Sequence, residues 1–276
     1  MIRLICLASA ALLTTTHASA QTTIGSNFCI ALSNSTGQAA TISATGLPVA
    51  AANMVTLSST NLPTNTIGIF IVGTQAVTGS PPANSVGNLC VGGTLGMFSS
   101  MPQLTGATGQ VSAAIDLTAI PQIGGTTSAV FPGDRLSFQF WFRDFAGMTR
   151  TTNFSNGVEI VFEPPGPSFA SDIVNLFTPS CTGCHGASGG LDLSSSLTVA
   201  DLLNPLGGSA GAISCLNGLG ITRRVEPFFP DESALIHYLT VAPPASCAST
   251  DRSMLFTSPT AVGTIRDWIR AGALNN

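Results

Sequence analysis

Cys181-Thr-Gly-Cys-His185 concentrates two thiols and an imidazole within one short stretch of a chain otherwise poor in reactive side chains. Two thiols separated by two residues reach the two vinyl groups along one edge of a porphyrin, and the next residue places an imidazole under the iron. Cys-x-x-Cys-His is therefore the spacing of covalent haem attachment. Zinc is a second reading, but a structural zinc needs four ligands, usually two such pairs. Beyond the first 20 residues the chain offers only one further histidine, and four cysteines spaced for disulfides. A dithiol redox switch is the third; its motif belongs at a helix N-terminus in a βαβ pattern, which this half of the chain lacks.

An iron held by His185 has a sixth position to fill, and two residues qualify. His237 makes a bis-histidine site formally open. On its helix, however, Leu235, Ile236 and Leu239 define the buried stripe, and at about 100° per residue His237 points nearly opposite to it, as an exposed polar residue would. Met254 is the one methionine beyond residue 163. It sits in a loop just before the last helix, placed to fold over a haem; its alternative role is a core gap-filler. A thioether ligand favours Fe(II) and raises the potential relative to two imidazoles.

The elements that position these residues follow from periodicity. Residues 1–20 have the order of a signal peptide: Arg3, the apolar LICLASAALL, then Ala18-Ser19-Ala20 before Gln21. Export to the periplasm or the extracellular space is the expectation, with Cys6 discarded. Residues 21–163 read as an antiparallel β-sandwich built from NFCIAL, ATISA, MVTLSS, IGIFIV, VSAAIDL, RLSFQFWF and GVEIVF. Phe138, Phe140 and Phe142 alternate with Gln139, Trp141 and Arg143, the period of a sheet with one buried side. Residues 164–170, rich in proline, read as a linker.

From 171 to 276 the period becomes helical. Ser171 is the predicted N-cap of a helix over 171–177, with Asp172 in its first turn and Pro179 ending it. A second helix is predicted over 230–240. A third follows Ser258 as N-cap and Pro259 at the first position, with Val262, Ile265, Trp268 and Ile269 inward and Gly272 as terminator. The predicted fold class is thus multidomain, the β-sandwich followed by a small all-α domain. Six cysteines remain after the leader, and their positions pair Cys29 with Cys90 and Cys215 with Cys247, each staple stabilising by about 4 kcal/mol on a chain-entropy account.

FASDIVNLFTPSCTGCHG, GGLDLSS at 189–195, RVEPFFPDESALIHYLT and IRDWIRAGA at 265–273 resemble the planctomycete-type cytochrome c domain of exported bacterial proteins. The resemblance implies one haem c on Cys181 and Cys184 with His185 proximal. It also implies a Pro-x-x-Ser helix at Pro230–Ser233, a distal methionine and a closing I-x-x-W-I-x-x-G-A helix. Members carry Met-Pro at the distal position, whereas here Met254 is followed by Leu255. NFCIALSNSTGQAATISATG, NLCVGG, FQFWFRD and TTNFSNGVEIVF resemble an exported bacterial β-sandwich module, which implies architecture alone.

Function classes narrow accordingly. Charged residues make up 8% of the chain, none is lysine, and the net charge is −4, so nucleic acid and anionic membranes have no electrostatic basis as partners. No stretch reaches the roughly 18 apolar residues of a membrane span. The first half has no histidine beyond the leader and five carboxylates, Asp116, Asp134, Asp144, Glu159 and Glu163, so no Ser-His-Asp or Cys-His set can be built there; Asp144 reads as a strand-end ion pair with Arg143. Electron transfer, not enzymatic catalysis, is the expectation, with redox partner proteins meeting a neutral, apolar face. Adhesion or ligand binding by the β-sandwich is the alternative, and haem chemistry on peroxide or another small ligand a third.

Overall fold

The structure, a computed structural model, describes residues 22–177, 181–185, 191–194, 196–206, 216, 220–240 and 258–275. The leader, Met254, Cys215 and Cys247 lie outside the described residues.

Short alternating segments punctuated by glycine and asparagine fold as antiparallel strands. One sheet has the order β1 (Thr23–Ile24), β3 (Thr41–Gly46), β4 (Val55–Thr60) and β8 (Val111–Ile115). The other runs β2 (Ser26–Phe28), β13 (Gly157–Val161), β11 (Arg135–Ala146), β5 (Ile67–Ser80) and β6 (Leu89–Met97). On this second sheet β12 (Thr149–Phe154) also pairs with β11, and β7 (Gln103–Leu104) with β5. A small ribbon joins β9 (Ile120–Pro121) and β10 (Thr127–Ser128).

The inner faces of the two sheets share one core. Ile42, Val55, Leu57 and Ile115 of the first meet Phe70, Val72, Phe138, Phe140, Phe142 and Ile160 of the second. Phe70 and Phe140 lie 4.8 Å apart at 60°, and Phe140 and Phe142 6.3 Å apart, within the range of favourable ring pairs.

The outer face of β11 departs from the one-sided reading. Ser137 and Gln139 are fully buried and Trp141 is half-buried. β5 and β6 shift register between Gly73 and Gln75 and again between Ala76 and Ser80. The far part of their hairpin lies over β11, where Cys90 N–H donates to Gln139 Oε1 at 2.7 Å. Gln139 Nε2 donates to the carbonyls of Asn88 and Ser155 at 3.0 and 2.7 Å. One amide side chain thus satisfies three backbone groups that the cover would otherwise strand without water. Val91, Phe154 and Ile71 fill the layer. Cys29 and Cys90, 61 positions apart, are disulfide-bonded with Cα atoms 6.3 Å apart, which pins the hairpin to the end of β2. Glycine-rich LCVGGTLGM and polar TRTTNF carry no two-residue apolar period, so β6 and β12 were not legible as strands.

Asp144 does not pair with Arg143. Neighbours on a strand point to opposite faces: Asp144 is buried toward Ser35 and Asn153, and Arg143 is exposed.

Beyond residue 163 the expectation requires correction. Of the described residues 37% are in strands and 21% in helices, and a small all-α cytochrome c-like domain is not seen. Helical pieces are short: a π turn at Phe169–Ile173, then α1 (Val174–Phe177), α2 (Thr182–His185), α3 (Val199–Leu203), a 3₁₀ turn at Pro230–Glu232, α4 (Ala234–Thr240) and α5 (Pro259–Arg270). Proline at 205, 230 and 259 removes amide donors at these boundaries, and among the described residues only α5 reaches three turns. Helices this short hold their shape through packing, not propensity.

Replacing Cys29 and Cys90 together by serine should lower unfolding stability by about 4 kcal/mol, and Gln139→Leu, which orphans Cys90 N–H and two carbonyls, by about 3 kcal/mol. Urea denaturation reads both; an unchanged midpoint for Gln139→Leu would show the cover to be held by packing alone.

Candidate functional site

The segment leading to CTGCH is capped by Ser168, three residues before the predicted Ser171. Ser168 Oγ accepts from Ser171 N–H at 3.4 Å, while Asp172 Oδ2 accepts from Ser168 N–H at 2.8 Å. Asp172 and Ile173 both donate backbone N–H groups to the Ser168 carbonyl, so the first turn is widened and Phe169, Ile173 and Phe177 point inward.

Cys181 continues this rail. Its N–H donates to the Phe177 carbonyl at 3.0 Å, its own carbonyl accepts from His185 N–H at 2.9 Å, and the His185 carbonyl accepts from Leu193 N–H at 2.7 Å. Residues 181, 184 and 185 therefore lie within one turn of backbone, at positions i, i+3 and i+4. The chain after the motif is tied back onto it through Leu193. Cys181 is a free thiol, half-buried against the apolar cluster. Burial pushes that thiol above its ordinary value, so it is protonated at neutral pH, unlike the thiolate of a redox dithiol. His185 Nδ1 is closed off from solvent.

The wall is built by α3, α4 and α5. Trp268 of α5 is fully buried beside Phe169, with ring centres 5.5 Å apart, and its Nε1–H donates to the Leu274 carbonyl at 3.0 Å. Val262, Ile265 and Ile269 share its face, and Ser258 Oγ caps the helix through Ala261 N–H, as the periodicity predicts. Gly272 closes the helix at φ +105°, where an added Cβ would meet the Phe228 ring. Leu202, Val225, Ile236 and Leu239 complete the cluster. Thr198 and Asp201 form a reciprocal cap on α3. The buried Ser233 accepts from Glu226 N–H at 2.8 Å and donates to the Phe229 carbonyl. Its Oγ stands in for a helical backbone bond, which explains the serine in Pro-x-x-Ser.

His237 is placed away from this cluster's centre. Its Nε2 lies 2.8 Å from the Asp231 carbonyl, and since a carbonyl only accepts, that nitrogen carries the proton. Among the described residues no group of three or more His, Cys, Asp or Glu is placed to hold a metal ion. No helix among the described residues is long and apolar enough to cross a membrane. No family model, curated protein or solved structure matches the chain.

Three exposed carboxylates sit below their usual range through hydroxyl and amide donors: Asp201 through the Thr198 hydroxyl first, Asp192 through Ser194 N–H, Asp116 through the Thr118 hydroxyl. A depressed folded value contributes stability that is present above the unfolded pKa and lost as pH falls through the folded one. Denaturant midpoints should therefore decline below about pH 4, and Asp201→Asn should flatten part of that decline; an Asp201→Asn profile parallel to the parent would remove the cap from the account.

Proposed function

We propose that this chain carries one haem c, joined by thioethers to Cys181 and Cys184 with His185 as proximal ligand, and serves as an exported electron carrier. What supports the reading is the single turn that holds residues 181, 184 and 185 together, with Cys181 at the edge of an apolar cluster that contains Trp268. The residues fit the group: two cysteines at the spacing of one porphyrin edge, an imidazole one residue on, and an apolar cluster beside Cys181.

When bound, haem c supplies a one-electron Fe(III)/Fe(II) couple. The chain's part is attachment and tuning. Cys181 and Cys184 would hold the group through thioether bonds, which would require both thiols to be reduced and would consume no oxidant. His185 is fixed through backbone bonds at both its N–H and its carbonyl, so the ring's position follows the main chain. Phe177, Leu193 and Leu202, of the apolar cluster against which Cys181 packs, would keep water from the attached group. Met254 is the proposed distal ligand, and His237, engaged with Asp231, the lesser one.

The test is production in an export-competent, haem-attaching host, then intact mass and visible spectrum. One haem retained under denaturing conditions is expected, absent from Cys181→Ser/Cys184→Ser. An unmodified mass beside a control cytochrome that is loaded would overturn the proposal. Met254→Ala should keep the covalent haem and lose the thioether–iron charge-transfer band; an unchanged spectrum would remove Met254. Rapid, complete CO binding by the reduced protein would point instead to small-molecule chemistry at an open iron.

A further inference from the structure

We infer that the β11–β12 end of the sheet pair is a docking surface for an anionic lipid bilayer. β11 and β12 are joined by the two-residue loop Gly147-Met148, with Ala146 opposite Thr149 and Gly147 at φ +63°, where a tight hairpin favours glycine. β5 pairs with β11 only as far as Phe142, so Arg143 to Ala146 run past the sheet with β12. Met148 at the tip is 101% exposed and Phe145 behind it 49%.

Register sets what surrounds them. Phe145 lies opposite Arg150, and Arg143 opposite Thr152, so Phe145, Arg143 and Arg150 share the face turned from the core. Ile67 has the same parity as Ile69, which lies opposite Trp141. It pairs with Leu104 of β7, and the two are 41% and 68% exposed. Thr66 Oγ donates to the Arg143 carbonyl at 2.9 Å, tying that edge to the hairpin.

Charge selects the occupant. Arg135 is paired with Glu159 at 2.7 Å, but Arg143 and Arg150 have no ion-pair partner among the described residues. Asp144, the adjacent carboxylate, is 2% exposed on the opposite face, accepting from Ser35 N–H and the Asn153 amide. A chain of net charge −4 thus presents two uncompensated guanidinium groups around four exposed apolar side chains. The partner must be anionic with an apolar layer behind. A convex tip needs a matching hollow in a protein partner, over about 800 Å² a side. A fluid bilayer needs none: Met148 and Phe145 enter the acyl boundary while the guanidinium groups stay at phosphate level. The total charge of the sequence hides this, because strand parity, not composition, gathers the arginines.

The experiment is vesicle co-flotation of the protein recovered from an exporting host, with phosphatidylcholine alone and with phosphatidylglycerol added. Binding to the anionic vesicles alone is expected, weakening about fivefold for each of Arg143→Ala and Arg150→Ala and about tenfold or more for Met148→Ser/Phe145→Ser, with strong loss at 1 M salt. All four positions are exposed, and circular-dichroism melts should match the parent. Equal binding to both vesicles, no binding, or variants indistinguishable from the parent would overturn the inference. Self-association without vesicles, abolished by Met148→Ser/Phe145→Ser, would overturn it in favour of a second copy of the chain. Binding is independent of haem loading, so a haem-free chain that still floats with anionic vesicles separates this inference from the proposed function.

Discussion

Arg135–Ala146 is the strand on which the rest of the sheet pair depends, because from Leu136 to Phe142 both of its faces are removed from water. Three phenylalanines on one side are ordinary for a packed sheet. The other side buries Gln139, and a buried primary amide is tolerable only when its donors and acceptor are met. The β5–β6 hairpin meets them by laying the backbone at Asn88 and Cys90 across the strand. The disulfide, the register shifts of β5 and the small apolar layer around Phe154 are consequences of holding that hairpin in place.

A different device organises the chain beyond the linker. Pieces of one or two turns cannot sustain helicity unaided, and hydroxyls help to secure several of them: Ser168, Thr198 and Ser258 accept from a backbone N–H in a first turn, and Ser233 accepts from Glu226 N–H just before α4. The apolar faces so oriented converge on Trp268. The motif turn needs no regular long helix before it, because the chain of carbonyls from Phe177 through Cys181 to His185 carries the register. Covalent attachment would suit such an architecture, since thioether bonds hold a group that a small set of helical turns grips weakly.

Low charge shapes the surface of both parts. With few ionic groups, hydroxyl side chains satisfy the carboxylates, as Thr118, Ser196 and Thr198 do, and the uncompensated arginines of the hairpin stand out by contrast. Asp144 turned inward and Arg143 turned outward are one fact seen twice: alternation along a strand separates sequence neighbours by the thickness of the sheet.

Local patterns were readable without coordinates. Alternating phenylalanines announced β11, Ser258-Pro259 with an apolar stripe announced α5, and the thiol and imidazole spacing of CTGCH defined the candidate site, since each depends on residues within one or two turns of one another. What only the tertiary structure decided was set by partners distant in the chain. The second burial of β11 comes from a glycine-rich hairpin with no apolar period. The shift of the first cap from Ser171 to Ser168 comes from a turn widened so that Phe169 meets Trp268. The replacement of an expected all-α domain by short helical turns arises because apolar spacing names a face without saying how far the helix beneath it extends. The gathering of Arg143 and Arg150 on one exposed face arises from register, a property of two strands together that neither strand carries alone.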